Sequence, residues 1–198
     1  MKRFFIGILL LLAVTVVWGR EMAKRPTVQF PKPHYERHDD DPAWIQAAAN
    51  FHGHLGPAIV IGARLGVAGL AAVEAHGYFD VEVVCEGPFA APPQSCMIDG
   101  IQISTGATLG KKNLTVLETK EYVVRIKNRK NGKSAVLRPK PELLQLAWSQ
   151  LHNDDDHDHD GNTKKSDPIE SMRKVEAIAR RIASTPDDEM MSIEQFSK

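Results

Sequence analysis

The sequence has little cysteine, with only Cys85 and Cys96 among 198 residues. Two thiols cannot build a disulfide scaffold or a zinc site made of cysteine alone. An excess of either charge is also missing, since 25 basic residues face 25 acidic ones. This composition gives no sign of a nucleic-acid-binding protein, and we expect no nucleic-acid partner. With 42% hydrophobic residues it has the composition of a globular protein that can bury a core.

A run of apolar residues without any charge lies at the N-terminus. Lys2 and Arg3 precede the apolar run Phe4–Trp18, which ends at Gly19. This order is typical of a secretory signal peptide. The run is shorter than the roughly 20 apolar residues of a spanning helix. Trp18 nevertheless suits a membrane interface, so an uncleaved anchor stays open. We expect export to the periplasm or another extracytoplasmic space, with membrane contact through this segment if it is not cleaved.

Composition divides the chain into three regions. Residues 1–19 are the signal peptide or anchor, and residues 20–41 are polar and proline-marked, which predicts a linker. Residues 42–198 form the folded domain, interrupted by an acidic, histidine-rich loop at 152–162.

The fold prediction starts from the apolar run 58–75, which predicts a buried helix. Gly62, Gly66 and Gly69 each weaken such a helix by roughly 1 kcal/mol relative to alanine. Another backbone packed closely against the helix would explain that cost. Strands are predicted at 79–85, 114–118, 122–127 and 134–138, and further helices at 141–151 and from 168 onward. We therefore predict a single α+β domain, with an antiparallel sheet packed against the Gly/Ala-rich helix and additional C-terminal helices.

Two histidines separated by one glycine come directly before this helix. His-x-His spacing places His52 and His54 on one side of an extended segment, at the positive end of the helix. With one or two further donors they would form a transition-metal site. The candidate donors are Cys96, Asp99, Cys85 and the acidic loop, and Cys96 lies just before a predicted helix start that favours a thiolate. In the alternative, His54 caps the helix, His52 packs in the core and Cys96 is a small buried hydrophobe.

A glycine-rich turn at 105–113 resembles a phosphate-binding loop but departs from the nucleotide-binding pattern. Only three residues separate Gly106 from Gly110, and Lys112 stands where a magnesium-binding Ser or Thr belongs. Such a turn can still present Lys111 to an anionic group. The alternative is a tight turn with solvated lysines.

Three ordered motifs, at 52–57, 95–102 and 105–114, together resemble the FmdE family of formylmethanofuran dehydrogenase subunits. The C-terminal stretch 182–189 is similar to the closing helix of that family, and the resemblance covers residues 43–195. It implies an α+β core, often a dimer, with a crevice lined by the His and Cys motifs that binds a metal, commonly zinc. It also implies an association with one-carbon metabolism.

The chain departs from the family pattern where thiols are concerned. Gly56 and Ala107 stand where the family often has cysteine, and the C-terminal cysteine zinc finger is absent. Two potential thiolate ligands are therefore missing. A site built on the two histidines and Cys96 remains, with Asp99 as an orienting residue or a fourth ligand.

Two functions follow. In the first, the protein is an exported metal-binding accessory or metal-handling module, which the resemblance implies to be a homodimer. In the second, it is a metal-dependent hydrolase or lyase acting on a small substrate that is anionic or related to one-carbon metabolism. There the metal would activate water or polarise a carbonyl, Cys96 would ligate or attack, and Lys111 would hold the anionic group. An open coordination position would distinguish the enzyme from a storage site.

Overall fold

The computed structural model describes residues 28–149 and 167–197. By its contacts the chain divides into two units, Met1–Pro31 and Lys32–Lys198. The fold below is that of the second unit.

Several predictions from the sequence fall outside the described residues. They are the signal peptide or anchor at 1–19 and the acidic loop at 152–162. The domain boundaries drawn from composition therefore stay predictions. Within the described ranges, none of the helices combines the length and apolar character needed to cross a membrane.

The described residues form six α-helices and five strands. The helices are α1 (Ala43–His52), α2 (Pro57–Ala72), α3 (Cys96–Thr105), α4 (Pro141–Trp148), α5 (Pro168–Ser184) and α6 (Asp187–Met190). The strands are β1 (Val81–Gly87), β2 (Leu114–Glu118), β3 (Val123–Asn128), β4 (Ser134–Pro139) and β5 (Met191–Phe196).

The strands form one sheet in the order β2-β1-β3-β4-β5, which confirms the α+β class. Its pairs are antiparallel except β1 with β2, which is parallel. Helix α3 lies between these two strands in the chain, and parallel neighbours need a crossover connection of this kind. The sheet is therefore mixed, and not purely antiparallel as predicted.

Strand β5 is the element that the sequence did not predict. It pairs with β4 in antiparallel register, from Pro139 opposite Met191 to Ser134 opposite Phe196. Five of its six residues are exposed, so it lacks the alternation of apolar and polar residues that marks a half-buried strand.

Helix α2 is the buried centre of the fold, as predicted, although it ends at Ala72, before the end of the apolar run 58–75. Its glycines admit neighbouring elements. A Cβ built on Gly66 would lie 2.0 Å from Ser104 Oγ of α3, and one on Gly69 would lie 2.3 Å from Ile126 Cδ1 of β3. Helix α2 is therefore in contact with both α3 and the sheet.

The closest approach is between the backbones of α2 and α3. A Cβ on Gly62 would lie 1.9 Å from the carbonyl oxygen of Met97, and a Cβ on Gly100 would lie 2.0 Å from the carbonyl oxygen of Ile59. These glycines are reciprocal, one on each helix. The predicted close backbone contact is confirmed at Gly62.

We predict that Gly62→Ala destabilises the protein although it favours the helical conformation. The new methyl group would collide with a backbone carbonyl that cannot rotate away, so overpacking should outweigh the propensity gain and cost about 2 kcal/mol net. Urea unfolding measures the loss. Gly110→Ala is the control, because its Cβ would meet only Thr108 Oγ1 at 3.9 Å. Equal stability of Gly62→Ala and wild type would contradict the close packing.

Candidate metal centre

The His-Gly-His motif is the link between α1 and α2. His52 is the last residue of α1, and Gly53 follows it in the left-handed region at φ 98°. His54 is extended and forms an isolated parallel bridge with His34, whose backbone N–H donates to the Gly53 carbonyl at 2.7 Å. Gly56 then caps α2. Although only His54 is extended, the two rings are adjacent, with centroids 4.6 Å apart and planes tilted by 43°.

Asp99, in the first turn of α3, fixes the orientation of the His52 ring. Its Oδ2 lies 2.7 Å from His52 Nδ1, and a carboxylate can only accept, so the ring nitrogen donates. That assignment leaves His52 Nε2 as the nitrogen with a free lone pair. The side chain is only 9% exposed, and Nε2 is buried without a hydrogen-bond partner. A carboxylate behind an imidazole with a free nitrogen in front is the arrangement found at histidine metal ligands.

Both rings and Cys96 line one cavity of about 220 Å³. Three predicted site residues therefore line the same cavity, although they come from α1, from the link and from α3. The other lining residues carry no charge, and they are Gly56, Pro57, Ala58, Ile59, Pro93, Ala147, Trp148 and Val175. The site thus has a donor end and apolar walls.

The protonation of two donors follows from burial. Burial, and next the neighbouring His52, lower the pKa of His54 against an opposing effect of Glu176, which favours the neutral ring that binds metals. Burial and the charge of Asp99 raise the pKa of the Cys96 thiol. Cys96 is therefore not a thiolate on its own at neutral pH, and a bound cation would be needed to deprotonate it.

The donor chemistry fits a transition metal such as zinc, because two imidazoles and one thiol are zinc ligands. Among the described residues, three donor atoms that all lie within 4.8 Å of one another belong to His38, Asp40 and Asp41. The donor atoms of His52, His54 and Cys96 are therefore spaced more widely. The side chains would have to close around an ion. Asp99 already holds His52, which favours the orienting role over that of fourth ligand.

Two other predicted residues lie elsewhere. Lys111 is not among the cavity residues, and its Nζ lies 5.8 Å from the centroid of the Phe79 ring and 3.5 Å from Thr108 Oγ1. The structure therefore does not bring this lysine to the candidate site. Cys85 is fully buried on β1, and burial raises its pKa to about 12. It is a core residue and not a candidate ligand.

A buried ionic network that the sequence did not reveal lies beside the site. Arg180 of α5 donates to both oxygens of Asp41, at 2.8 and 3.0 Å, and to Glu176 at 3.1 Å. Glu176 also accepts the backbone N–H of Glu36, and Tyr35 donates its hydroxyl to Asp41. The segment before α1 is thereby fixed to α5. Asp41 is thus the partner of Arg180, and the residue at the cap position of α1 is Pro42.

The three close donors are His38, Asp40 and Asp41, in the segment before α1. His38 and Asp40 are exposed, and both oxygens of Asp41 are already engaged by Arg180. A cation would have to compete with a guanidinium for the only buried carboxylate of this group. We therefore place the candidate metal at the histidines of the cavity.

Comparison with known proteins gives a family match over most of the domain. The family model described as "FmdE, Molybdenum formylmethanofuran dehydrogenase operon" matches residues 51–192.

Individual similar proteins cover the chain less completely. A "Probable S-adenosyl-L-methionine-binding protein" of Archaeoglobus fulgidus is 32% identical over 106 residues, which is 52% of this chain and 28% of that protein. The chain thus spans little more than a quarter of the length of this relative. A crystal structure of a tungsten formylmethanofuran dehydrogenase FmdE-like protein from Syntrophus aciditrophicus has a TM-score of 0.49 and 17% identity. The similarity covers 78% of this chain and 71% of that one.

We predict that Asp41 makes the stability of the protein depend on pH in the acidic range. The hydrogen bond from Arg180 holds the pKa of this carboxyl far below its usual value, despite burial. The stabilisation is therefore fully present above the unfolded-state pKa of about 3.9 and is lost as the pH falls toward the folded-state pKa. The free energy of unfolding of wild type should exceed that of Asp41→Asn most at neutral pH, and the difference should shrink below about pH 4.

Urea unfolding at intervals between pH 7 and pH 2 measures this difference. Asp39→Asn, which changes an exposed carboxyl in the same segment, is the control and should track wild type throughout. A difference between Asp41→Asn and wild type that does not vary with pH would contradict the prediction.

Proposed function

The chain belongs to the FmdE family, and from this membership we propose that it is an exported metal-binding protein, an accessory or metal-handling module whose ion is held by His52, His54 and Cys96. The observation that carries the proposal is the free Nε2 of His52. It is buried, it lacks a partner, and Asp99 orients it from behind. Leaving a buried polar atom unpaired is costly, and an ion bound there would remove that cost.

The donor set supports zinc. The two imidazoles would bind as neutral rings, which burial favours for His54 by lowering its pKa, and Cys96 would bind as a thiolate formed on metal binding. When bound, zinc would supply Lewis acidity to a ligand in the cavity. Asp99 would hold the His52 ring and its tautomer throughout.

Export is supported by the N-terminal sequence. Lys2 and Arg3 followed by the apolar run Phe4–Trp18 have the form of a signal peptide or an anchor. An exported protein would meet its metal outside the cytoplasm, so that capture or delivery of the ion is the corresponding role. The resemblance to this family adds the expectation of a homodimer.

A second candidate function, a metal-dependent hydrolase or lyase, is favoured by one observation. The three donors do not close off the site but line a cavity of about 220 Å³. A fourth coordination position open to such a cavity is the feature that separates catalytic from structural zinc sites. The metal and Cys96 would then carry the chemistry, since Lys111 lies outside the cavity.

The names of similar proteins suggest two contexts for either function. The family description links it to a formylmethanofuran dehydrogenase operon, which supports a role connected with one-carbon metabolism. The archaeal relative is named for S-adenosyl-L-methionine binding. That ligand carries an ammonium group, and the cavity lining offers it no carboxylate, so we do not extend the ligand to this chain.

We predict that His52→Ala/His54→Ala lowers the zinc content of the purified protein from about one equivalent to near zero, because Cys96 alone cannot hold the ion. Elemental analysis of wild type and variant, purified side by side, measures the content. His76→Ala is the control, since His76 is exposed and lies outside the cavity. Equal zinc in wild type and the double variant would end the metal proposal.

We further predict that Asp99→Asn weakens zinc binding about 10- to 100-fold without abolishing the site. The amide can still accept the hydrogen bond from His52 Nδ1, but it lacks the charge that makes the ring a better ligand. Titration against a chelator of known affinity measures the change, and Asp188→Asn, at an exposed position, is the control. Complete loss of the zinc site would instead make Asp99 a direct ligand, and an unchanged affinity would deny it both roles.

A further inference from the structure

We propose that the cavity beside His52, His54 and Cys96 binds a small monocarboxylate with an apolar body. The carboxylate would lie at the donor end, and the body would contact Trp148 and Val175. The inference rests on the proposed function, because the donor end is the candidate metal centre. It goes beyond it by naming the class of ligand.

The size of the cavity limits the ligand. At about 220 Å³ the cavity is below the range of about 300 to 1,000 Å³ found for pockets that hold drug-sized molecules. An apolar cavity of about 150 Å³ takes benzene. A single ring, or a branched aliphatic group of similar size, together with one small head group therefore fits the available space.

The donor end favours one negative charge. The first turn of α2 contributes Pro57, Ala58 and Ile59 to the lining, and Gly56 at the cap has no side chain to accept from the amides of that turn. The N-terminus of this 16-residue helix is therefore a positive end of the cavity. An independent feature lies at the same end, since the His52 side chain is nine-tenths buried and its Nε2 has no partner. In the proposed function this lone pair would hold the zinc ion, whose positive charge would face the carboxylate.

The walls exclude a second charge. Among the lining residues, all of which lie in the described part of the chain, there is no Lys, Arg, Asp or Glu. The second charge of a phosphate dianion, or the charge of an ammonium group, would thus be desolvated without a charged side chain to compensate it, which is costly. Pro93, Ala147, Trp148 and Val175 offer apolar surface to the remainder of the ligand. A monoanion with an apolar body satisfies both ends of the cavity.

The test is calorimetric titration of the zinc-loaded full chain with three probes that share a phenyl ring and differ in head group, namely benzoate, benzyl alcohol and phenyl phosphate. Benzoate should bind at least ten-fold more tightly than either of the others. Equal or tighter binding of benzyl alcohol would show that the site does not select an anion, and equal or tighter binding of phenyl phosphate would show that it accepts a second charge. Either result would overturn the proposal.

Two variants tie the binding to the cavity. Val175→Phe fills it from a half-buried position, and Trp148→Ala removes one wall, so both should weaken benzoate binding at least ten-fold while zinc stays at one equivalent. Two variants are used so that one still tests the proposal if the other does not fold, and thermal melts check the folding of both. Val67→Phe, at an exposed valine of α2, is the matched control and should bind benzoate like wild type.

The zinc measurement separates the two proposals. Stoichiometric zinc without saturable benzoate binding would overturn the ligand assignment and leave the metal site intact. If zinc itself does not bind, the metal proposal fails. Benzoate titration of the metal-free protein then tests the ligand assignment. Benzoate binding that is sensitive to Val175→Phe would support the cavity assignment there, and its absence would overturn it.

Discussion

The contact between the backbones of α2 and α3 is the constraint on which the rest of the structure depends. Gly62 and Gly100 let each helix approach a carbonyl oxygen of the other, to about 2 Å from where a Cβ would stand. A glycine inside a helix costs about 1 kcal/mol, and here that cost is offset by close packing of two helices at the centre of the core. This contact positions the candidate site, because α2 begins at the donor end and α3 carries Cys96 and Asp99.

Two candidate site residues lie close to that contact along α3. Asp99 precedes Gly100 directly, so the residue that faces His52 is adjacent to the residue pressed against α2. Cys96 lies one turn earlier, at the start of the helix, where it packs against the core and also lines the cavity. On the other side, the Arg180–Asp41 pair fixes the segment that carries His34, which bridges to His54. The two histidines are thus held by separate contacts, His52 through its ring to Asp99 and His54 through its backbone bridge to His34.

The sequence predicted the parts of the molecule whose signals are local. The apolar run of α2, the glycines that mark close packing, the strands β1 to β4 and the His-Gly-His motif are all readable within short windows. The parallel β1–β2 pair, the exposed strand β5 and the Asp41–Arg180 pair were not, because each depends on partners far away in the chain. Lys111 is a site residue that local sequence could not place. Its glycine-rich turn suggested an anion contact, but the fold places its ammonium group beside Phe79.

Of the departures from the pattern that the resemblance implies, the one at residue 56 lies at the cavity. Gly56 stands where a family cysteine is often found, and even a Cβ there would lie 3.2 Å from His54 Nε2. A side chain at that position would thus compete with the His54 ring for the donor end. Without it, the candidate donors are two ring nitrogens and one sulfur, and Gly56 itself lines the apolar cavity. A metal with fewer thiolates keeps more Lewis acidity and an available position. In the proposed function, glycine at residue 56 therefore leaves the donor end to two imidazoles and one thiol, beside the apolar lining of the cavity.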